Sequence, residues 1–298
     1  MEAARLISGG EADVVLAIGQ ESMSLAPPHV LAARSGQKYG AMELVDSLER
    51  DGLTDAFEQV SMGLLTEDGN TDLRLGARRS GCVGRRIASS CGAHREFLAG
   101  EIEPYILETR QGRIVVAEDD GVRPPDTTVE ILAGLRPSFA KEGTVTAGNS
   151  SPPITDGGAA AWYWSARRLP SAWPIPVRGV ESHALVAGPD VRLHSQPANA
   201  IFAALKGGPP FQPRILRRLK SMRPSLGRRP ISPGIGHRPK IVNARGGAIA
   251  LGHPIGASGA RIVGTLARQL ANYGPGSIGA AGICGGGGQG SAVVLRAV

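Results

Sequence analysis

The chain has 298 residues, 42% of them apolar, with 42 glycines and a formal net charge of +7; that length leaves room for two or three compact units, and the apolar content excludes a disordered chain. Its three cysteines, Cys82, Cys91 and Cys284, show no metal-ligand spacing, and no signal-peptide pattern follows Met1. Disulfides and metal sites are therefore not expected, while a soluble protein in a reducing, cytoplasmic setting is.

In chain order, EAARLISGG reads as an amphipathic helix closed by Gly9 and Gly10, and ADVVLAI (12–18) as a buried strand. The pair is a helix-to-strand step of an α/β core. From GQESMSLAPP onward the chain turns mixed and polar, through MELVDSLERDGLTDAFEQVSMG and HREFLAGEIEPYILETRQGRIVV, where short helices and one strand pair are expected. TVTAGNSS leads back towards the core; VESHALVAGPD reads as strand and loop, and PANAIFAAL as a helix. KIVNARGGAIALGHP predicts a strand and a turn. In GASGARIVGTLARQLANYG, Ile262, Val263, Leu266 and Leu270 share one helical face that ends at Gly274. SIGAAGIC and SAVVLRA are apolar strands joined by GGGGQG, which puts Cys284 at the mouth of a hairpin. The uncharged segment 272–295 holds nine glycines, so it does not read as a bilayer-spanning helix.

The positive charge is unevenly spread. Residues 73–93, 159–178 and 206–240 contain 18 of the 33 basic residues and no acid, leaving 15 bases against 26 acids, a net −11, elsewhere. The second of these segments holds all three tryptophans. The third holds seven prolines and shows no sustained helical or strand period. Two readings compete: basic arms that bind an anionic partner such as nucleic acid, or segments translated out of frame from a GC-rich gene.

GHPIGASG lacks both G-x-G-x-x-G and a terminal G-K-[ST], so its spacing supports neither a dinucleotide site nor a P-loop. The turn can instead bring backbone close to a ligand, with Pro254 restraining His253. The glycines after Cys284 can aim amides at a developing oxyanion and leave room for a thioester. A thiol and an imidazole could then form a nucleophile–base pair if the fold unites them. A cysteine on an apolar strand is more often packing, and a lone histidine more often a satisfied turn residue; spacing alone leaves both readings open.

GGAIALGHPIGASGAR together with GICGGGGQG resembles the paired C-terminal signatures of the thiolase family. ADVVLAIGQESMSLAP, DGLTDAFEQVSMG, and LRPSFAKEGTVTAGNSS followed by ITDGGAAA match the same family in the same order. The resemblance implies an α/β fold, a duplicated αβαβα core with an inserted coenzyme-A-binding loop domain. On that pattern 1–24 and 154–175 are a remnant of an incomplete first half, 25–153 is the loop domain and 176–298 is the second half. It further implies acyl exchange between coenzyme A thioesters, by thiolysis of 3-ketoacyl-CoA or condensation of two acetyl-CoA molecules, without a cofactor. By motif position His253 takes the role of the family's activating histidine and Cys284 that of its acid/base cysteine. Gly286 supplies an oxyanion-hole amide, and Leu53, Met62, Arg123, Phe139, Ala147 and Ser151 contact coenzyme A. A homo-oligomer is expected; a membrane or nucleic-acid partner is not.

The departures from the family pattern are specific. The family's nucleophilic cysteine falls before the helix that ends in EAARLISGG, and its N-E-A-F motif is replaced by the basic segment 206–240. Ser61 stands where many members carry histidine, Arg245 replaces an asparagine, and VRPPDTT has one extra proline. These departures favour compensated frameshifts over basic arms, and predict impaired catalysis and an exposed apolar sheet with poor solubility. The rival reading is a non-catalytic basic protein that binds nucleic acid through its Arg-rich segments. SSCGAH, with Cys91 three residues before His94, is a weaker candidate for a reactive thiol. His183 and His194 read as loop or surface residues.

Overall fold

The structure is a computed structural model that describes residues 1–72, 76, 94–122, 127–149, 153–165, 178–208, 216–221 and 241–297. Its elements in chain order are α1 (Glu2–Ser8), β1 (Val14–Ser22), β2 (Pro28–His29), β3 (Val45–Asp46), a π-helical turn (Leu48–Leu53), α2 (Met62–Asp72) and α3 (Arg95–Ala99). The hairpin β4 (Tyr105–Thr109) and β5 (Gly112–Val116) follows, then α4 (Val129–Ala133), β6 (Asp156–Trp164), β7 (Arg178–Ala187), α5 (Gln196–Gly207) and β8 (Leu216–Ser221). The chain closes with α6 (Ala248–Leu251), α7 (Ile255–Ala271), β9 (Ile278–Gly285) and β10 (Gln289–Ala297).

The core is a four-stranded sheet in the order β7-β10-β9-β8, with β8 parallel to β9 and the other pairs antiparallel. A helix covers each face. On one side Ala200, Ile201 and Ala204 of α5 meet Ile278, Ala280, Ala292 and Val294. On the other, Ile262, Leu266 and Leu270 of α7 meet Ala281, Val293, Leu295 and Ala297. The two-residue period of a strand sends alternate side chains to opposite faces, so a strand covered on both sides must be apolar throughout, as SAVVLRA nearly is. The expected face of α7 is confirmed.

Helix α7 also packs against the antiparallel ribbon of β1 and β6. A Cβ on either Gly19 or Gly256 would run into the other segment's backbone, so both positions require glycine for this approach. The outer face of the ribbon is open, which corrects the expectation of a buried strand at 12–18. Val14, Leu16 and Ile18 alternate outward, Ile18 is 68% exposed, and Trp162, opposite Leu16 in the register, is 58% exposed. An apolar run shows that a strand can be covered, and here only the face towards α7 is.

Two further expectations change. Residues 241–247 form turns rather than a strand, because Asn243 (φ 50°) and Gly246 (φ 95°) take positive φ values that a strand does not allow. The apolar run that follows forms α6. Within the basic segments, residues 159–164 belong to β6 in unbroken register with β1, and residues 216–221 form β8 on the open edge of β9. A sheet edge pairs through backbone groups and needs no hydrophobic alternation, which is why LRRLKS showed no strand signal. The rest of those segments lies outside the described residues, apart from Gly76, Ser165, Arg178 and the end of α5.

The region before β6 docks on a third side of α7. Arg261 donates to both carboxylate oxygens of Asp119 at 2.7 and 2.6 Å, Thr265 donates to Glu101 at 2.9 Å, and Arg268 donates to the Gly100 carbonyl. Spacings of four and three residues align these side chains along one helical stripe. Arg261→Ala leaves the largely buried Asp119 carboxylate without its fork, and the expected loss is about 2 kcal/mol in a urea titration. The conservative Arg261→Lys should recover only part of it, because an ammonium cannot reproduce the bidentate pair.

No helix among the described residues is long and apolar enough to cross a membrane.

Candidate active site

Gly252 begins the site. Its φ of 75° is a left-handed conformation, and a Cβ there would collide with the side chain of Thr155, just before β6. Pro254 then sets the N-cap of α7, so His253 is held between a glycine turn and a helix N-terminus. His253 Nδ1 lies 2.6 Å from Ser258 Oγ, and Ser258 Oγ donates to the Pro254 carbonyl at 2.8 Å. The hydroxyl has one proton and spends it on Pro254, the usual back-bond of a serine inside a helix. The hydrogen-bond network therefore assigns the proton between His253 and Ser258 to Nδ1 and makes Nε2 the nitrogen that can accept one. Ser258 is buried, which shields this pair from water.

Cys284 lies on β9 opposite Gly290, half-buried and outside any disulfide. The 17 residues of α7 extend about 25 Å at 1.5 Å each. The eight residues of β9 return about 26 Å at 3.3 Å each. A short turn joins the two, and α7 packs on β9 along its length. His253, before the first residue of α7, and Cys284, near the last residue of β9, thus come to the same end of the layer.

The hairpin beyond Cys284 is pinned from several directions. Gly287 and Gly288 have φ of 71° and 66°, and a Cβ on Gly288 would strike the Asp190 carbonyl. The Gly286 carbonyl accepts from Gln289 Nε2 at 3.0 Å, and the Gly287 N–H donates to Asp55 Oδ1 at 2.8 Å. Asp55 is 1% exposed, and its other oxygen accepts from the N–H groups of Phe57 and Glu58 at 3.0 and 2.8 Å. Burial pushes the Asp55 carboxyl up, but the three backbone donors outweigh it and hold the group below its ordinary range. Its stabilisation of the loop is therefore complete above the ordinary carboxylate range and is lost as pH falls through the lowered value.

Of the expected coenzyme A contacts, Leu53 ends the π-helical turn and is partly exposed. The adjoining Gly52 borders the His253 turn: a Cβ there would lie 3.5 Å from Ile255 Cδ1. Met62 opens α2, and the Phe139 ring packs against the next residue, Gly63. Ala147 is exposed on a turn whose neighbours Val145, Thr146, Gly148 and Asn149 are buried. That turn is tied to α2 by Glu67, whose buried carboxylate accepts from Thr144 N, Thr144 Oγ1 and Val145 N at 2.7–2.8 Å. The structure thus brings Gly52, the residue before Leu53, close to Ile255 at the start of α7, and sets Phe139 and the turn that carries Ala147 against the helix that Met62 opens. Arg123, Ser151 and Cys91 lie outside the described residues.

Other singled-out residues have structural partners. Ser61 accepts from Leu64 N at 3.2 Å and so caps α2, and Arg245 stacks its guanidinium 4.8 Å from the centre of the Phe97 ring. His183 is on β7 opposite Val293, not in a loop, and burial first, then the N-terminal charge and Arg5, push its imidazole down. His194 lies in the loop between β7 and α5, as expected, half-buried with Nε2 3.1 Å from Asn70 Oδ1. Sequence reasoning missed Ser258, Asp55 and Glu67. Ser258 and Asp55 lie inside the quoted motifs, in GASGAR and TDAF, and that placement was the available signal. Among the described residues no group of three or more His, Cys, Asp or Glu side chains gathers to hold a metal.

The architecture defines an α/β protein whose histidine turn and cysteine hairpin share one end of the core sheet. Comparison with known proteins identifies its kind. Residues 1–166 match the family described as thiolase, N-terminal domain, and residues 227–297 match thiolase, C-terminal domain. The probable acetyl-CoA acetyltransferase of Mycolicibacterium smegmatis is 42% identical over 98% of this chain and 75% of its own length. The acetyl-CoA acetyltransferase of Rhizobium meliloti is 36% identical, over 97% of this chain and 73% of its own. The crystal structure of human mitochondrial 3-ketoacyl-CoA thiolase superposes with a TM-score of 0.86 at 29% identity, covering 99% of this chain and 74% of that one. The chain belongs to the thiolase family, a family of acyltransferases.

Proposed function

We propose that this chain acts on coenzyme A thioesters, exchanging acyl groups by thiolysis of a 3-ketoacyl-CoA or by condensation of two acetyl-CoA molecules, with His253 and Cys284 as its proton-transfer pair and at an impaired rate, because the family's nucleophilic cysteine and N-E-A-F motif match no residues of this sequence. The observation that carries this reading is the His253–Ser258 hydrogen bond, which leaves Nε2 as the accepting nitrogen at the end of the sheet where Cys284 also lies. The family resemblance assigns the two residues the same tasks, and the names of the relatives favour acetyl-CoA as the acyl donor.

In the condensing direction the Cys284 thiolate takes a proton from the carbon next to the thioester carbonyl. Charge develops on the carbonyl oxygen, where the Gly286 N–H donates to it. By the resemblance, His253 Nε2 serves as base towards the family's acyl-carrying cysteine, which no residue of this sequence matches; without it the acyl group passes directly to or from the thiol of coenzyme A, towards which Nε2 acts as base and, once protonated, as donor to a thioester oxygen. Leu53, Met62, Arg123, Phe139, Ala147 and Ser151 hold the coenzyme A moiety.

The test is to incubate the purified chain with acetoacetyl-CoA and free coenzyme A and to quantify acetyl-CoA by mass spectrometry. Slow but protein-dependent formation of acetyl-CoA is expected. No conversion in either direction would refute acyl exchange on this substrate.

A further inference from the structure

We propose that Asp55 is a positioning residue for the acyl-transfer site, fixing the peptide between Gly286 and Gly287 and thereby the amide that faces the developing oxyanion beside Cys284. This inference rests on the reading under Proposed function.

Asp55 belongs to a closed loop. Its N–H donates to the Val60 carbonyl at 2.8 Å, its carbonyl accepts from Gln59 N at 3.0 Å, and Thr54 bridges Ser61. The carboxylate divides its oxygens: Oδ2 serves the loop's own Phe57 and Glu58 amides, while Oδ1 reaches Gly287, 232 residues away in sequence. The loop would close without Oδ1. That oxygen is committed to the cysteine hairpin.

The hairpin end of this contact is equally specific. The Gly286–Gly287 peptide is held at its carbonyl by Gln289 and at its N–H by Asp55, so the plane of that peptide cannot rotate without breaking a hydrogen bond. Glycines on both sides would otherwise leave it free to turn. Fixing that plane limits the rotation of Gly286, whose own N–H is the proposed oxyanion donor. Oxyanion donors act by being in place before charge develops, so an anchor that removes rotation serves the chemical step rather than substrate binding. Phe57, against Gly287, packs the same tip from the side. The same loop lies between Leu53 and Met62, so the segment proposed to hold coenzyme A is the one that sets the hairpin.

Asp55→Asn tests this directly. An asparagine can keep its carbonyl towards Phe57 and Glu58, but it then presents an NH2 group to the Gly287 N–H, two donors facing each other. In the thiolysis assay kcat should fall about 30-fold while KM for the thioester stays within about threefold, the pattern of a lost transition-state interaction. Amide hydrogen exchange at Gly287 should accelerate at least about tenfold. Gln289→Met removes the other anchor at an exposed position and should lower kcat about fivefold, which keeps the test open if Asp55→Asn fails to fold. An unchanged kcat with a still-protected Gly287 amide would overturn the proposal. A rise in KM at constant kcat would also overturn it, showing that Asp55 only shapes the coenzyme A loop. If the wild-type chain shows no acyl transfer, the functional reading falls, and exchange at Gly287 still decides whether Asp55 holds the hairpin.

Discussion

Replacing Cys284 by alanine should slow the loss of deuterium from trideuteroacetyl-CoA by about a thousandfold, the range expected when a positioned base is removed. The assay isolates one step, because exchange requires only that the α-proton leave and return. Cys284 faces Gly290 in the β9–β10 ladder, and its neighbour Ile283 packs against the core under α7. A Cys→Ala change there deletes one sulfur from a half-buried position and costs little stability. Loss of exchange with an unchanged thermal midpoint is the expected result. Exchange persisting at the wild-type rate would remove Cys284 from the acid/base role.

Replacing His253 by alanine should lower thiolysis by a similar factor, about a thousandfold, since the base for the acyl-carrying thiol and the cation opposite the thioester oxygen are lost together. Ser258→Ala provides the finer comparison. The imidazole then loses the acceptor that fixes its Nδ1 proton, and Nε2 is no longer set as the accepting nitrogen. A fall of about tenfold is expected, with KM barely changed. If Ser258→Ala matched wild type while His253→Ala did not, the histidine would be selecting its tautomer without the serine.

Much of the C-terminal half was legible in the sequence, because its elements are apolar in patterns that only one arrangement satisfies. Ile262, Leu266 and Leu270 recur at helical spacing, while the two apolar strands around GGGGQG could pair only as a hairpin. The exposure of β1 was not legible, since Val14, Leu16 and Ile18 state a capacity for burial and not what lies opposite. The short helix at 248–251 was not legible, because a short apolar run fits a helix or a strand equally well, and the turns at Asn243 and Gly246 decide between them.

The site divides along the same line. His253 and Cys284 were singled out by the family-like motifs around them, which are local in sequence. Asp55 was not, because the property that distinguishes it is a hydrogen bond to a backbone amide at the far end of the chain. Glu67 is similar: its three donor groups belong to Thr144 and Val145, and nothing within MGLLTED points to them.

The central claim is that the histidine turn, the cysteine hairpin and the loop from Leu53 to Met62 form one thioester site. The most direct measurement is the rate at which iodoacetamide modifies Cys284, mapped by peptide mass spectrometry with and without saturating acetyl-CoA. A shared site predicts that acetyl-CoA slows this modification at least about fivefold, since a ligand that covers the thiol reduces its access in proportion to occupancy. An unchanged rate at Cys284, in a sample that demonstrably binds acetyl-CoA, would contradict the account.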